Sequence, residues 1–408
     1  MKQTNNAIKF LMAQYRAIFN NAYFKGLATA ALVTVAMSAG QANATTLTGS
    51  LVSNAANAQD IIATGSSDSL TVSGGDKFAK TITVQKGAQL TISGGLTSLG
   101  DVNVNGGTLI VQGPDTALLL GSVKEPAAKA GGAKQHYESD LNVSSGSTLK
   151  LNSGNIGVAN FDIAGSTITL TSGGTGGTNL TAYGVGAYQD DDGPKKYGKA
   201  VGNLTDVTAT INGGSNITAI GTLNVSGSAL DKSKITLNGD VTTGTSQTNF
   251  AYLEGSKQLN ISKTTITVSG DNGSALSSRD LNLADSKLDV TSGTLTIGTD
   301  YDVKKAASDT NSGTAISGTI DIKDSTISLA GSTNLNFGAE GSAASVTFSG
   351  TNNITNKGTV NFYTPKISMS AADLNALVDS GKVVFKESSV ANVAGDLDHS
   401  PALLNFYF

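Results

Sequence analysis

Short runs of alternating apolar and polar residues recur along the chain, in pairs separated by a few small residues. Val102-Asn103-Val104 is followed by Leu109-Ile110-Val111, Leu141-Asn142-Val143 by Leu149-Lys150-Leu151, and Phe161-Asp162-Ile163 by Ile168-Thr169-Leu170. The pattern is cleanest further on. Leu259-Asn260-Ile261 goes with Ile266-Thr267-Val268, Leu281-Asn282-Leu283 with Leu288-Asp289-Val290, and Ile320-Asp321-Ile322 with Ile327-Ser328-Leu329; Leu223-Asn224-Val225 opens another copy. A period of two places successive side chains on opposite sides of an extended backbone. Each tripeptide therefore predicts a strand with one buried face, its Asn or Asp pointing outward and stacking in ladders. Ser, Gly, Asp and Lys fill the gaps, the residues of tight turns and corners.

The copies begin at residues 102, 141, 161, 223, 259, 281 and 320, at spacings of 39, 20, 62, 36, 22 and 39, near one, two or three times twenty. A ~20-residue coil of short strands cannot close a core alone and must stack on its neighbours. The predicted fold is all-β: an elongated right-handed parallel β-solenoid (β-helix) over residues 45–363. Read as multiples of twenty, the spacings predict ~16–18 rungs and, at the ~4.8 Å spacing of strands in a sheet, a rod about 80 Å long. An aliphatic interior accords with an aromatic content of only 5%. A string of immunoglobulin-like sandwiches fits less well, because such domains carry turns every ~8–12 residues and usually a core Trp, and this chain has none.

Composition narrows the chemistry. The 408 residues include 49 Gly, no Cys and only two histidines, His136 and His399. A disulfide framework, Cys-ligated metals and a thiol nucleophile are excluded. Residues 1–44 read as a Sec-type signal peptide with an extended, acid-free n-region bearing Lys2, Lys9, Arg16 and Lys25. The thirteen apolar residues from Leu27 to Ala39 form its h-region, and Ala42-Asn43-Ala44 predicts cleavage between Ala44 and Thr45. That run is shorter than the ~20 residues a spanning helix needs. Without the leader, 23 basic residues face 31 acidic ones, a net charge of −8, and Arg279 is the single remaining arginine. Such a chain lacks the basic stripe of a nucleic-acid binder.

Three stretches interrupt the repeat, residues 122–139, 183–202 and 300–313, all rich in Lys, Gly and small or polar residues. Insertions in a solenoid become loops on its flank, where binding residues gather. The candidate ligand-contact residues are Tyr183, Tyr188 and Tyr197, whose rings offer amphipathic stacking surface to glycans or proteins, together with Lys195 and Lys196. Asp190, Asp191 and Asp192 form a weak calcium candidate: hard cations want several oxygens from a flexible loop, but the acids lack EF-hand spacing and Lys195 and Lys196 sit beside them. No catalytic residue, resident metal or cofactor is assigned. The enzyme alternative is a β-helix polysaccharide lyase or glycoside hydrolase. Hydrolysis would need two carboxylates ~5–9.5 Å apart, which Asp162, Asp289 and Asp321 supply only if neighbouring rungs pair them, and Arg279 is the one arginine available as a lyase base. Residues 364–408 read as a C-terminal cap or truncated tail. There Ser370-Ala371-Ala372-Asp373 starts a short helix to Ser380, with Leu374, Leu377 and Val378 on one face and Gly381 as its stop.

The long basic leader, the absence of Cys, the Gly/Ser/Thr/Asn-rich repeats and the apolar-Asn-apolar strands together resemble the passenger region of Gram-negative autotransporter adhesins, over residues 1 to about 360. The resemblance implies an exported adhesin or surface-structure protein, outer-membrane-associated or extracellular, that binds a host or matrix glycan or protein. It carries no ligand motif, so it transfers no binding residue. Members of that family end in a translocator barrel with a terminal aromatic, and Leu403-Leu404-Asn405-Phe406-Tyr407-Phe408 looks superficially like such a strand. A barrel needs at least ~8 strands of ~9–11 residues, more than residues 364–408 can form. The expectation is therefore a passenger displayed by a separate translocator or outer-membrane partner, or a truncated one.

Overall fold

Twenty residues carry the chain once around a three-sided coil. Leu141–Ser144 lies on a first face, Thr148–Asn152 on a second and Asn155–Val158 on a third. Phe161–Ala164 then returns to the first face, with Phe161 hydrogen-bonded in parallel register beside Leu141. The computed structural model describes residues 45–46, 55–64, 69–73, 77–113, 116–124, 134–172, 177–190, 193–196, 199–239, 251–270, 273–298, 318–338, 344–385, 390–394 and 405–406, and structural statements concern these. Two units are distinguished, 1–44 and 45–408. The expected signal peptide, residues 1–44, lies outside the described residues. The second unit is a parallel β-helix.

The first face follows one unbroken column: Val102, Leu141, Phe161, Gly202, Leu223, Leu259, Leu281, Ile320, Val346 and Ile367 are successive register partners. The second face is a twelve-stranded sheet from Thr45–Thr46 to Asn353–Asn356. The long strands Lys77–Val84, Ala251–Ser262 and Gly273–Ala284 bend around the corner between the third and first faces and join them. Inward side chains alternate with outward ones on every face; Leu141, Val143, Leu281, Leu283, Ile320 and Ile322 are all buried. Fully burying one such side chain stabilises the fold by about 1.5–3 kcal/mol.

Thirteen first-face strands are described, from Gln59–Ala63 to Val390–Ala394, fewer than the rung count read from the spacings. At ~4.8 Å per layer the stack is about 60 Å long rather than 80 Å. The steps of 39 are not missing copies. Leu141 pairs directly with Val102, and Ile320 directly with Leu281, so each step of 39 residues is one layer plus an insertion. The step of 62 hides one layer, Gly202-Asn203-Leu204, in which glycine occupies the apolar slot. A Cβ on Gly202 would lie 2.3 Å from Cζ of Phe161, whose ring fills that space.

Outward asparagines do form ladders. The Nδ2 groups of Asn142, Asn224, Asn260 and Asn282 each donate to Oδ1 of the Asn one layer back, Asn103, Asn203, Asn224 and Asn260, at 3.1, 3.0, 2.8 and 2.8 Å. The corner after several first-face strands takes a left-handed residue. Gly165 takes it without strain; Asp206, Lys263, Asp285 and Asp324 take it at φ of 52°, 48°, 49° and 48°. Behind it runs a buried hydroxyl ladder: Ser286 Oγ donates to Ala284 O and accepts from Thr264 N, while Ser325 Oγ donates to Lys323 O and accepts from Ser286 N. These bonds satisfy polar groups that would otherwise be orphaned inside the corner.

Near the C-terminus, α1 (Ala371–Val378) stands where a second-face strand would come, between first-face Lys366–Ser370 and third-face Lys382–Phe385. Ser370 caps it, accepting from Asp373 N at 3.0 Å while its own hydroxyl donates to Asp373 Oδ2. Leu374 and Leu377 are buried, and Asn356 of the last second-face strand donates to Leu377 O at 2.6 Å. The helix thus covers that sheet's edge. The interior is not aliphatic throughout: Phe337, Phe362 and Phe385 stack at 5.0 and 5.4 Å between ring centres. Asn405–Phe406 pairs in parallel with Val384 and Phe385, so these two residues continue the third face. Among the described residues no helix is long and apolar enough to cross a membrane.

Candidate functional site

Two of the insertions leave the helix at one corner, between the third face and the first. The third-face strand Ala117–Lys124 runs on past its layer and the chain returns antiparallel as Lys134–Tyr137. Two turns later in the stack, the second insertion adds Ala187–Asp190 and Gly193–Lys196, again antiparallel. Stretches some fifty residues apart in sequence thus build one four-stranded side sheet in an otherwise parallel fold. Gly121 is where the strand departs. At φ +147° it lies opposite Tyr137, and a Cβ there would be 1.8 Å from the His136 carbonyl oxygen.

Tyr137 holds the side sheet to the helix. It is fully buried, and its ring lies over Gly157 of the third face, where a Cβ would come within 2.9 Å of Cε1. Tyr183 of the second insertion stacks on it with ring centres 4.2 Å apart and planes 18° from parallel. Ala159 and Ala187 complete the cluster, with Leu119 packed against it. Backbone bonds fix the second insertion: Tyr183 N donates to Val158 O, Gly184 N to Ala159 O and Gly186 N to Tyr137 O, each at 2.9 Å. Burial, then the neighbouring Tyr183 phenol and a hydrogen bond to it, push the Tyr137 hydroxyl well above the ordinary tyrosine range.

The side sheet gathers most of the residues singled out in the sequence. Tyr183 is half-buried in the stack. Tyr188 lies opposite His136 on one side and Lys196 on the other, and Lys195 is the extra residue of a bulge between Lys196 and Pro194. Asp190 ends its strand opposite Gly193. Tyr197, Asp191, Asp192, His399 and the third insertion, 300–313, lie outside the described residues. Tyr137 and Gly157 escaped the sequence reading; a tyrosine closing an insertion just before the repeat resumes was the available signal.

The acids considered for hydrolysis are dispersed. Asp162 has Asn142 and Asn203 as register neighbours, Asp321 has Asn282 and Thr347, and Asp289 binds Lys287 at 2.7 Å. Arg279 is held by Asp280, Nη2 to Oδ2 at 2.8 Å, and Asp280 Oδ1 accepts Thr319 N from the next layer. No group of three or more potential metal ligands occurs among the described residues.

Fold and site together define a parallel β-helix carrying a laterally docked antiparallel sheet. No protein-family model, curated protein or solved structure matches the chain.

Proposed function

We propose that this is an exported, non-catalytic surface protein, a structural or adhesin-like component of the Gram-negative cell exterior, whose side sheet contacts a host or matrix glycan or protein. The observation carrying this reading is the convergence of the two Tyr- and Lys-bearing insertions on one sheet, at one corner of a helix whose faces run in register past it. A long rigid stack with a contact surface on its flank suits display. The leader at 1–44, cleaved after Ala44, provides export, and a separate translocator or outer-membrane partner provides surface display.

The test is removal of both insertions, 122–138 and 183–199, each replaced by a short Gly-Ser turn. Screened on a glycan and host-protein array and by cell attachment, the shortened protein is expected to lose binding while keeping its β-rich circular dichroism. Retained binding would move the contact surface elsewhere. Turnover of a uronate-containing polysaccharide by the intact protein would favour the lyase alternative.

A further inference from the structure

We infer that the two insertions form one cooperative unit, latched to the helix by Tyr137, and that Tyr137 is the positioning residue for the row carrying His136, Tyr188 and Lys196. The buried Tyr137 ring is the point where three parts of the chain meet: its own strand, the Gly157 seat on the third face and the Tyr183 ring from the other insertion. Its carbonyl also accepts Gly186 N, so side chain and backbone tie both insertions at one residue. The helix has no such dependence. Third-face strand Asn155–Val158 pairs with Ala117–Lys124 and Thr178–Ala182, and first-face Phe161–Ala164 pairs with Leu141–Ser144 and Ala200–Thr205, all within the coil. Loss of the latch therefore opens the side sheet as a whole and leaves the layers stacked, since stability in such a fold is distributed over local units. The row His136-Tyr188-Lys196 lies one residue beyond the latch row Tyr137-Ala187, so its placement follows the seating of that ring.

The latch stands on geometry alone; its consequence for a partner rests on the function proposed above. Three variants of residues 45–408 test it by amide hydrogen exchange. Tyr137→Ala removes the ring, Gly157→Val fills its seat, and Tyr137→Phe keeps the ring without its hydroxyl. The first two are expected to speed exchange about a hundredfold, together, in strands 134–137, 187–190 and 193–196, with 141–144 and 161–164 unchanged. Tyr137→Phe should stay close to the parent. Faster exchange in the first insertion only, throughout the helix, or nowhere would overturn the latch. In the binding array, an opened side sheet with undiminished binding leaves the latch intact and removes the proposed contact role.

Discussion

Phe161 packs closely over Gly202 in the next layer, and the pairing makes a sharp prediction. An added Cβ at Gly202 would meet ring atoms Cζ, Cε2 and Cε1 of Phe161 at 2.3, 2.6 and 2.9 Å. Ordinary contact begins near 3.4 Å, so the ring must retreat by about 1 Å. It cannot swing far: Leu141 and Leu223 occupy the layers on either side of the pair, and all three side chains are buried. Gly202→Ala is therefore expected to destabilise residues 45–408 by about 1–3 kcal/mol, the range for overpacking a dense core. Phe161→Leu alone empties part of the same space and also destabilises. Combined, the two changes should offset one another by about 0.5–3 kcal/mol, as expected of residues sharing one cavity. Urea unfolding followed by circular dichroism gives the four stabilities of the cycle, provided the slope with denaturant stays constant. Additive losses, or a neutral Gly202→Ala, would refute the claim that Phe161 fills the glycine's place.

Leu283 sits fully buried between register partners Ile261 and Ile322; Leu283→Asp places an unpaired charge in the stack and should cost several kcal/mol, and an unchanged unfolding midpoint would mean the inward column is misassigned. At the corner residue Asp206, the Ser228 N–H, 2.6 Å from Oδ1, holds the carboxyl below the usual carboxylate range. A depressed folded-state value means the carboxylate stabilises the fold above its unfolded pKa and that this contribution fades as pH falls through the folded value. A carboxyl NMR titration should show Asp206 protonating after ordinary aspartates, and Asp206→Asn should lose less stability on acidification than the parent; identical acid profiles would refute the assignment.

The coil itself was legible because its signal is local and repeated. Val102-Asn103-Val104 and its copies specify strand, buried face and outward ladder residue at once, since a period of two can be satisfied in only one way against a core. The same holds for α1, where Ser370 accepts from Asp373 N and donates to its carboxylate, a cap that four consecutive residues suffice to encode. Wherever the meaning of a residue depended on the layer above or below, reading along the chain failed. Gly202 fills an apolar slot only because Phe161, forty-one positions earlier, reaches over it. The spacings of 39 residues looked like two turns because an insertion adds length without adding a layer, and only the Leu141–Val102 register separates the two cases.

The candidate site divides the same way. Composition alone marked residues 183–202 as a flank loop with exposed-type residues, and named Tyr183, Tyr188, Lys195 and Lys196. That this loop pairs with the other insertion, and that Tyr183 spends its ring on Tyr137, followed only from stacking. Both insertions leave at one corner two layers apart, within reach of a shared sheet because each layer adds only ~4.8 Å. Periodicity along the chain thus determined which residues face inward. Their neighbours across layers, and with them the site, were decided by the coil that brings distant positions together.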